Sequence, residues 1–510
     1  MSNNSGPGII RPGENCWRMT GAPRVALAID GETYYRAVRE ALLQATKTVF
    51  ILDWDIHSQL LLVRDNRRDG YPCELGPLLD YIARKRGVEV YVLSWDFAMI
   101  YLLERESFPL YVLNWKTHSR VHFSMDANHP VGASQHQKLV VVDDAVAFCG
   151  GFDLSKWRWD TSEHRVEDDR RTDPDGKPYS PFHDLQMVVD GETAGALGEL
   201  ARDRWSRATQ RNLPGPTLAA DSDPWPASLP AVFRDVEVAI ARTYPAYAGR
   251  EAVTEIERLY RDGIAAAVKA IYIENQYLTS HSIGQALAQR LAQDDGPQVV
   301  IVLPRETGGW LEQQTMDVIR FRLVKKLREA DRHGRLRIYY PRLSASDEVV
   351  LMVHAKLMII DKQMLLIGSA NLSNRSMGLD SECNLALEAE QDEQRRQAIG
   401  QLRSRLLAEH LGVDIRRVDD ALETRGGLIE AIESLHSDGR TLEQLDTSVD
   451  PMVDKLVPES ALIDPEQPVD PDELLSQLVA EDQQPHTVRR AALAVATLAL
   501  LLCLALDGVG

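Results

Sequence analysis

The pattern HxKxxxxD occurs twice in this chain, and both copies stand in the same local context. The first copy lies in "SQHQKLVVVDDAVAFCGG" (residues 134–151) and the second in "VHAKLMIIDKQMLLIGSAN" (residues 353–371). In each copy an apolar run follows the lysine, the aspartate falls in a turn, and a second apolar run ends in Gly-Gly or Gly-Ser. A strand-turn-strand unit that is present twice predicts two similar halves, each of which presents one copy.

The histidine and the lysine of each copy are two residues apart, so on a strand both side chains point to the same face. For a single copy an ordinary interpretation is open, in which the histidine is a satisfied core or edge residue and the lysine extends to solvent. Two copies with matched flanks favour a shared site, which forms if the halves pack about a pseudo-twofold axis. The four residues of that site are His136, Lys138, His354 and Lys356.

These residue types suit the chemistry of a phosphodiester. Lysine ammonium groups are positive point charges that bind phosphate. One neutral imidazole can attack phosphorus while one imidazolium protonates the leaving oxygen. Because the lysines and polar amides balance the developing charge, we expect neither a metal nor a cofactor in this chemistry. The pattern therefore predicts two-step phosphodiester cleavage through a phosphohistidine.

Apolar strand patterns alternate with helical patterns in both halves of the chain, which predicts an α/β fold. We expect two similar α/β/α sandwich halves with mixed sheets, related by a pseudo-twofold axis, over residues 14–215 and 231–410. A stretch rich in Pro, Asp and Ser at residues 212–230 connects them. The clearest predicted strands cover residues 48–54, 88–96, 185–190, 270–278 and 298–304, and a predicted helix covers residues 311–330.

The chain changes character after the second half. Residues 411–488 are acidic and partly Pro-rich, which predicts a helical or flexible linker. About sixteen uninterrupted apolar residues follow Arg489 and Arg490, so residues 489–507 predict a single transmembrane anchor, although a span usually needs about 20 residues. The two arginines favour a catalytic body on the cytoplasmic side of the cell membrane. The alternative interpretation is a buried C-terminal helix.

The composition disfavours several function classes. The formal net charge of −19 disfavours binding to nucleic acid, whose phosphate backbone attracts a basic surface. The five cysteines are odd in number, scattered and without a CxxC pair, which argues for reduced thiols and against a disulfide framework or a zinc site. The 510 residues, of which 44% are hydrophobic, are enough for a large core.

Four further blocks of sequence resemble the phospholipid-hydrolysing branch of the phospholipase D superfamily, whose members carry two such motifs. The blocks are "GGFDLSKWRWD" (150–160), "PFHDLQ" (181–186), "IYIENQYLTS" (271–280) and "GSANLSNRSMGLDSE" (368–382). Near the N-terminus, "ENCWRM" and "LDWDIHS" resemble bacterial members of that branch. The resemblance covers roughly residues 14–410 and leaves the C-terminal segment without a counterpart.

The resemblance implies a role for each histidine and lysine of the two motifs. His136 matches the nucleophile that forms the phosphohistidine, and His354 matches the general acid that protonates the leaving alcohol. His354 would then act as the base when water or another alcohol attacks the intermediate. Lys138 and Lys356 match the lysines that bind the phosphate.

The carboxylates have two expected roles. A nucleophilic imidazole needs a carboxylate to fix its tautomer. Glu382 stands where the family places such a carboxylate for the second motif, and Asp160 is the expected counterpart in the first half. The motif aspartates, Asp143 and Asp361, fall in turns past the strand, so we expect them to brace the fold rather than to touch substrate.

Five residues are candidates for substrate binding. Ser369 and Asn371 match small polar residues that face the phosphate in simpler family members, and Gly151 and Asp153 stand at the corresponding offsets in the first half. The site is therefore not expected to be fully symmetric. For His183 two interpretations stay open: its side chain lines the pocket, or it satisfies a loop.

The resemblance implies a phospholipase D or transphosphatidylase that hydrolyses membrane glycerophospholipids to phosphatidate and a free alcohol. A cardiolipin-synthase-like phosphatidyltransferase, which uses the same histidines, is the first alternative. A nuclease is less favoured because the chain is acidic, and an inactive membrane-tethered lipid-binding scaffold is less favoured because both motifs keep His and Lys. The expected partner is a membrane phospholipid, while the head group, the acceptor and the oligomeric state do not follow from the sequence.

Overall fold

The structure is a computed structural model that describes residues 8–65, 69–96, 117–216, 222–307, 310–446 and 464–468. Strands and helices alternate in the first half of the chain, as its pattern predicts. The strands there are β1 (Arg18–Ile29), β2 (Thr48–Asp53), β3 (Glu89–Trp95), β4 (Val121–Asp126), β5 (Leu139–Val142), β6 (Val146–Gly150), β7 (Phe182–His183) and β8 (Leu185–Asp190). The helices there are α1 (Asp30–Gln44), α2 (Leu75–Arg86) and α3 (Gly191–Thr209).

The second half follows the same alternation. Its strands are β9 (Phe233–Tyr244), β10 (Val253–Thr254), β11 (Ala270–Asn275), β12 (Gln298–Val302), β13 (Leu336–Arg342), β14 (Met352–Val353), β15 (Lys356–Ile360), β16 (Met364–Gly368) and β17 (Glu382–Glu388). Its helices are α4 (Glu255–Ala266), α5 (His281–Leu291), α6 (Trp310–Ala330), α7 (Asn374–Gly378) and α8 (Glu393–Leu411). The remaining described elements are α9 (Ile415–Thr424), α10 (Leu428–Ser434) and β18 (Thr441–Gln444).

Helices cover both faces of the strands, which explains why the strand sequences are unbroken apolar runs. Along β2, Phe50 packs into the core that α3 and α8 cover, whereas Ile51 packs against α1 and α2 on the opposite face. Val141 and Val140 of β5 divide between the same two faces. Successive residues of a strand point to opposite faces, so a strand buried on both sides needs apolar residues throughout. The expected α/β fold with mixed pairing is confirmed.

Sixteen of the described strands form one mixed sheet, whereas the sequence predicts a separate sheet in each half. Its order is β18-β13-β12-β11-β15-β16-β17-β9-β1-β8-β6-β5-β2-β3-β4, and β10 pairs with β9. Read outward from the centre, β9-β17-β16-β15-β11-β12-β13 repeats β1-β8-β6-β5-β2-β3-β4, which is the expected pseudo-twofold relation. The short strands β7 and β14 pair in parallel with each other.

The two central strands explain why the sheet is continuous. β1 and β9 are 12 residues long, which is enough to pair along different stretches with different neighbours. β1 pairs with β9 through residues 18–25 and with β8 through residues 25–29, while β9 pairs with β17 through residues 239–243. The halves therefore meet through backbone hydrogen bonds as well as through side chains.

Two short helices, α9 and α10, lie in the segment expected to be a helical or flexible linker, and they pack on the body of the protein. Residues of α9 and α10, among them Val418 and Ile432, join the core that α8 covers, and β18 pairs with the edge strand β13. Farther along, the buried carboxylate of Asp464 accepts hydrogen bonds from the first two backbone N–H groups of α7 and from the Thr279 hydroxyl. Apolar residues of α9, α10 and β18 thus pack residues 415–444 into the core.

The expected transmembrane anchor, residues 489–507, lies outside the described residues. Within the described ranges the structure contains no helix that is both long enough and apolar enough to cross a membrane.

The aspartate of each motif holds the start of a neighbouring strand. The Asp143 carboxylate accepts hydrogen bonds from the backbone N–H groups of residues 46–48, where β2 begins. The Asp361 carboxylate accepts from the N–H groups of residues 268–270, where β11 begins. Both aspartates have a φ of 54°, in the left-handed region that turns use. The third residue of the motif thus lies at the far end of its strand from the histidine.

We expect Asp143→Ala to lower the free energy of unfolding by about 3 kcal/mol, because it leaves three backbone donors without their acceptor. Urea unfolding of the full chain measures this change. Glu251→Ala, which removes a carboxylate from an exposed position, is the matched control. An unfolding midpoint that is unchanged in Asp143→Ala would contradict the bracing role.

Candidate active site

Each motif histidine lies in a segment that the other half holds in place. His136 precedes β5, and its backbone N–H donates to the carbonyl of Ser381 at 3.0 Å. His354 precedes β15, and its N–H donates to the carbonyl of His183 at 2.8 Å. A parallel β-bridge between Gln135 and Ser381 accompanies the first contact. The short parallel pair of β14 and β7 accompanies the second. The tertiary fold thereby brings the two motifs to one site.

The imidazoles are paired with carboxylates across the halves. His136 Nδ1 lies 3.0 Å from each carboxylate oxygen of Glu382, at the start of β17. His354 Nδ1 lies 2.6 Å from Oδ2 of Asp184, directly before β8. Gly150 pairs with Gln186 and Gly368 pairs with Asn384, so Asp184 and Glu382 occupy equivalent positions two residues earlier. Each histidine is thus oriented by a carboxylate of the opposite half.

Asp184 takes the place that the sequence assigns to Asp160. Asp160 instead accepts hydrogen bonds from Arg171, at 3.0 Å, and from the backbone of Phe182, and it pairs with His164 at 2.9 Å. The reason for the error is an insertion in the first half. The step from Gly150 to Asp184 is 184 − 150 = 34 residues, whereas the equivalent step in the second half is 382 − 368 = 14 residues. The sequence signal that identifies Asp184 is a carboxylate directly before an apolar strand, here β8.

The two lysines are buried and have different partners. Lys138 Nζ lies 3.1 Å from the carbonyl of His136 and 3.4 Å from Oδ1 of Asp153. Lys356 Nζ donates to the side-chain amide of Gln276 at 3.1 Å and to the carbonyl of its own motif histidine. Burial lowers the pKa of Lys356 to about 7. A bound phosphate would therefore hold the proton on Lys356 by supplying a negative charge at close range.

Ser369 lies beside Glu382 and Gly151 lies beside Asp184, although the sequence comparison predicts that both positions face the phosphate of the substrate. The buried Ser369 hydroxyl donates to Glu382 at 2.5 Å, and the Ser376 hydroxyl donates to the other oxygen at 2.7 Å. Gly151 is the first-half equivalent of Ser369. A Cβ at Gly151 would lie 2.2 Å from the Asp184 carboxylate, so only glycine fits there. In the first half the orienting carboxylate, Asp184, therefore lies beside a glycine, whereas in the second half Glu382 lies beside a serine.

Asp153 and Asn371 also occupy equivalent positions, three residues after the glycines of the ladder. The carboxylate of Asp153 compensates the charge of Lys138. Asn371 is 6% exposed, and its side-chain carbonyl has no hydrogen-bond partner among the described residues. Among the described residues that were expected to bind substrate, Asn371 is the one whose side-chain carbonyl has no hydrogen-bond partner.

His183 does not line the pocket. Its ring is fully buried, and both ring nitrogens lie 2.8–2.9 Å from carboxylates, Nδ1 from Asp30 and Glu409 and Nε2 from Glu274. This arrangement decides between the two interpretations that the sequence leaves open. His183 belongs to a buried polar cluster behind His354.

The site favours neutral imidazoles beside carboxylates that hold protons readily. Burial lowers the pKa of His136 and of His354 well below the usual value, and both lysines lower them further. Burial raises the pKa of Glu382 and of Asp184 to about 7. Each histidine pKa is lowered by the lysine of its own motif and by the lysine of the other motif. The two histidines and the two lysines are therefore close enough to interact electrostatically.

Comparisons with known proteins agree with this geometry. A family model described as "Cardiolipin synthase, PLD-like domain" matches residues 260–403, which contain the second motif. The structure of a phosphatidylserine synthase from Haemophilus influenzae superposes with a TM-score of 0.52 at 14% identity, over 77% of this chain and 88% of that one. The PLD-like domain over residues 260–403 supports assignment of the chain to the phospholipase D superfamily. The narrower bacterial branch stays a prediction.

Curated members of the superfamily are similar over most of the chain. Phospholipase D alpha 1 of Carica papaya is 23% identical over 77% of this chain and 66% of its own length. Phospholipase D1 of Saccharomyces cerevisiae is 26% identical over 77% of this chain and 29% of its own length. The chain thus spans slightly less than two thirds of the papaya protein and under a third of the yeast protein.

We expect Asp184→Asn to lower kcat about a thousand-fold on a phosphodiester with an alkyl leaving group. The neutral amide of asparagine does not stabilise the protonated ring of His354 as a carboxylate does. Steady-state kinetics of the full chain measure the loss. Asp169→Asn, at an exposed position of the same inserted loop, is the matched control. Wild-type kcat in Asp184→Asn would contradict the pairing that the structure shows.

Proposed function

We propose that this chain is a phospholipase D-type phosphodiesterase or transphosphatidylase that cleaves membrane glycerophospholipids to phosphatidate and a free alcohol. The observation that carries the proposal is the pair of crossed imidazole–carboxylate contacts, with the two buried lysines beside them. Similarity to members of the superfamily supports the same reaction class. Since the chain covers only part of its relatives, the substrate is part of the proposal rather than a carry-over from them.

The first step transfers the phosphatidyl group to a histidine. Nε2 of His136 attacks phosphorus, the bond to the head-group oxygen breaks, and His354 gives a proton to that oxygen. Lys138 and Lys356 hold the non-bridging oxygens, where negative charge is present throughout the step. In the second step His354 takes a proton from water or from another alcohol, whose oxygen attacks phosphorus and releases His136.

The two carboxylates support the assignment of the two histidines. Glu382 accepts two hydroxyl hydrogen bonds, which favour its ionised form, and an ionised partner stabilises the positive ring of a phosphorylated His136. Asp184 shares a short contact of 2.6 Å with His354, a geometry suited to passing one proton in and out. The unequal surroundings of the pairs therefore suit a nucleophile in the first motif and an acid–base group in the second.

A cardiolipin-synthase-like phosphatidyltransferase is the second candidate. The observation that favours it is the description of the family model that matches residues 260–403. Both candidates form the same phosphohistidine and differ only in the acceptor, which is water or a simple alcohol in one case and phosphatidylglycerol in the other. The assay therefore needs to vary the acceptor.

We also propose that residues 489–507 anchor the chain in a membrane, with the catalytic body on the cytoplasmic side. The apolar run and the two arginines before it support this part of the proposal. Residues 14–215 and 231–410 then act as the two halves that each contribute one motif, one lysine and one orienting carboxylate to the site. An anchored enzyme would meet its lipid substrate at the membrane surface.

We expect the full chain to convert phosphatidylcholine, phosphatidylethanolamine or phosphatidylglycerol vesicles to phosphatidate, and to form the phosphatidyl alcohol when a primary alcohol is added. His136→Ala should abolish both products and the trapped phosphoenzyme, because it removes the nucleophile. His333→Ala, at an exposed position, is the control and should retain both. Turnover at the wild-type rate in His136→Ala would refute the mechanism, whereas cardiolipin as the only product would favour the second candidate.

We expect kcat/KM to fall below about pH 7, because the pKa of Glu382 is raised to about 7 and its pair with His136 takes up a proton there. The added proton blocks the nucleophile, so this pair sets the acid limb of the profile, and its contribution to activity is lost as the pH falls through about 7. Ser376→Ala removes a donor that stabilises the carboxylate and should move this limb about half a unit to higher pH. The exposed Ser346→Ala is the control, and an unmoved limb in Ser376→Ala would contradict the assignment.

A further inference from the structure

A second cluster of ionisable side chains lies behind the active site and takes no part in the proposed reaction. Asp30 Oδ1, His164 Nε2, His183 Nδ1 and Glu409 Oε1 all lie within 4.8 Å of one another. His183 Nδ1 is 2.8 Å from Asp30 and 2.9 Å from Glu409, while His164 Nε2 is 3.1 Å from Glu409 and 3.7 Å from Asp30. All four side chains are at most 4% exposed.

We propose that these four residues form a binding site for one divalent metal ion of the zinc class. Two imidazole nitrogens and two carboxylate oxygens are ligands that zinc takes in four-coordinate sites. Bonds of about 2.0–2.2 Å in a tetrahedron place neighbouring ligand atoms about 3.3 Å apart. The contacts of 2.8–3.7 Å among the four residues bracket that spacing.

The outer nitrogen of each histidine supports this assignment. His164 Nδ1 lies 2.9 Å from Asp160, and His183 Nε2 lies 2.8 Å from Glu274. Histidines that bind a metal characteristically donate their other ring N–H to a carboxylate, which fixes the tautomer and turns the free lone pair toward the metal. Both histidines of the cluster have this arrangement, and it gives Asp160 the role of an orienting group.

The charge of the cluster also fits a divalent ion. If no metal were bound, each imidazole would face carboxylates at both nitrogens, and a proton on both nitrogens of each ring would satisfy these contacts. One divalent ion supplies the same two positive charges to neutral rings, and its binding would release two protons. The alternative to the metal is therefore a pair of buried imidazolium ions, and the two states differ in metal content.

The backbone at two of the ligands is held in an uncommon conformation. Asp30 has a φ of 62° and His164 has a φ of 43°, in the left-handed region that costs non-glycine residues free energy. The hydroxyl of Ser162 donates to the outer oxygen of Asp30 at 2.6 Å and leaves the inner oxygen toward the cluster. The left-handed backbone at Asp30 and His164 and the hydrogen bond from Ser162 thus set the direction of these side chains.

The site would join the two halves at the base of the active site. Asp30, His164 and His183 come from the first half, whereas Glu409 comes from α8 of the second. His183 precedes Asp184 in the chain, and its carbonyl accepts the N–H of His354. A metal on His183 would therefore fix the segment that orients the second motif, without touching the phosphate. The scattered cysteines argue against a zinc site built on thiolates, and these ligands contain none.

The test is the metal content of the full chain, expressed in zinc-supplemented medium, dialysed and measured by inductively coupled plasma mass spectrometry. We expect about one metal ion per chain, retained in wild type and in the exposed control His436→Ala, and at least a ten-fold lower content in His164→Ala and Glu409→Gln. X-ray absorption of the wild-type protein should show only nitrogen and oxygen neighbours, at about 2.0–2.2 Å.

A second measurement keeps the proposal testable if a variant fails to fold. Wild-type protein unfolded with a chelator and refolded without metal should have a lower Tm, which added zinc restores. Metal content near zero in the wild type, or a Tm that zinc does not change, would overturn the proposal and leave the imidazolium pair. Both readouts are independent of phospholipid turnover, so their failure would leave the proposed reaction intact.

Discussion

Each motif histidine is hydrogen-bonded through Nδ1 to a buried carboxylate of the opposite half, at 3.0 Å for His136 and 2.6 Å for His354. A buried carboxylate is costly unless other groups compensate its charge, and here imidazole, hydroxyl and lysine groups do so. Separation of the halves would take the imidazole partner away from both Asp184 and Glu382. The crossed contacts therefore link correct assembly of the sheet, through β1 and β9, to the tautomer and reactivity of both histidines.

The two halves share the same backbone arrangement, but the side chains at equivalent positions differ in charge. Asp53 and Asp153 lie beside Lys138, and the equivalent residues of the second half are Asn275 and Asn371. Burial, and then the charge of Asp153, raises the pKa of Asp53 well above its usual value, so Asp153 carries the negative charge of this pair. Unequal surroundings of this kind suit a reaction that needs one nucleophile and one proton donor from a duplicated unit.

The sequence predicted the elements that are buried on both faces and missed those that are not. Unbroken apolar runs located β2, β3, β8, β11 and β12 to within a few residues. The central strands β1 and β9 were not predicted, because their burial alternates irregularly and because β1 contains two charged residues and β9 contains four. Among the site residues, spacing identified the His and Lys pairs, and the family resemblance pointed to Glu382. The inserted loop hid Asp184, and no local motif connects Asp30, His164, His183 and Glu409.

By itself the sequence determined that there are two copies of one chemical unit, since periodicity, spacing and residue type are local properties that burial imposes on each strand. The contacts between the copies are not local. Which carboxylate faces which histidine depends on residues that are 246 and 170 positions apart. Whether Ser369 meets a phosphate or Glu382, and whether His183 lines a pocket or a buried cluster, likewise depends on how the segments pack. Only the tertiary structure decides these, because hydrogen bonds between distant segments depend on packing and leave no period in the chain.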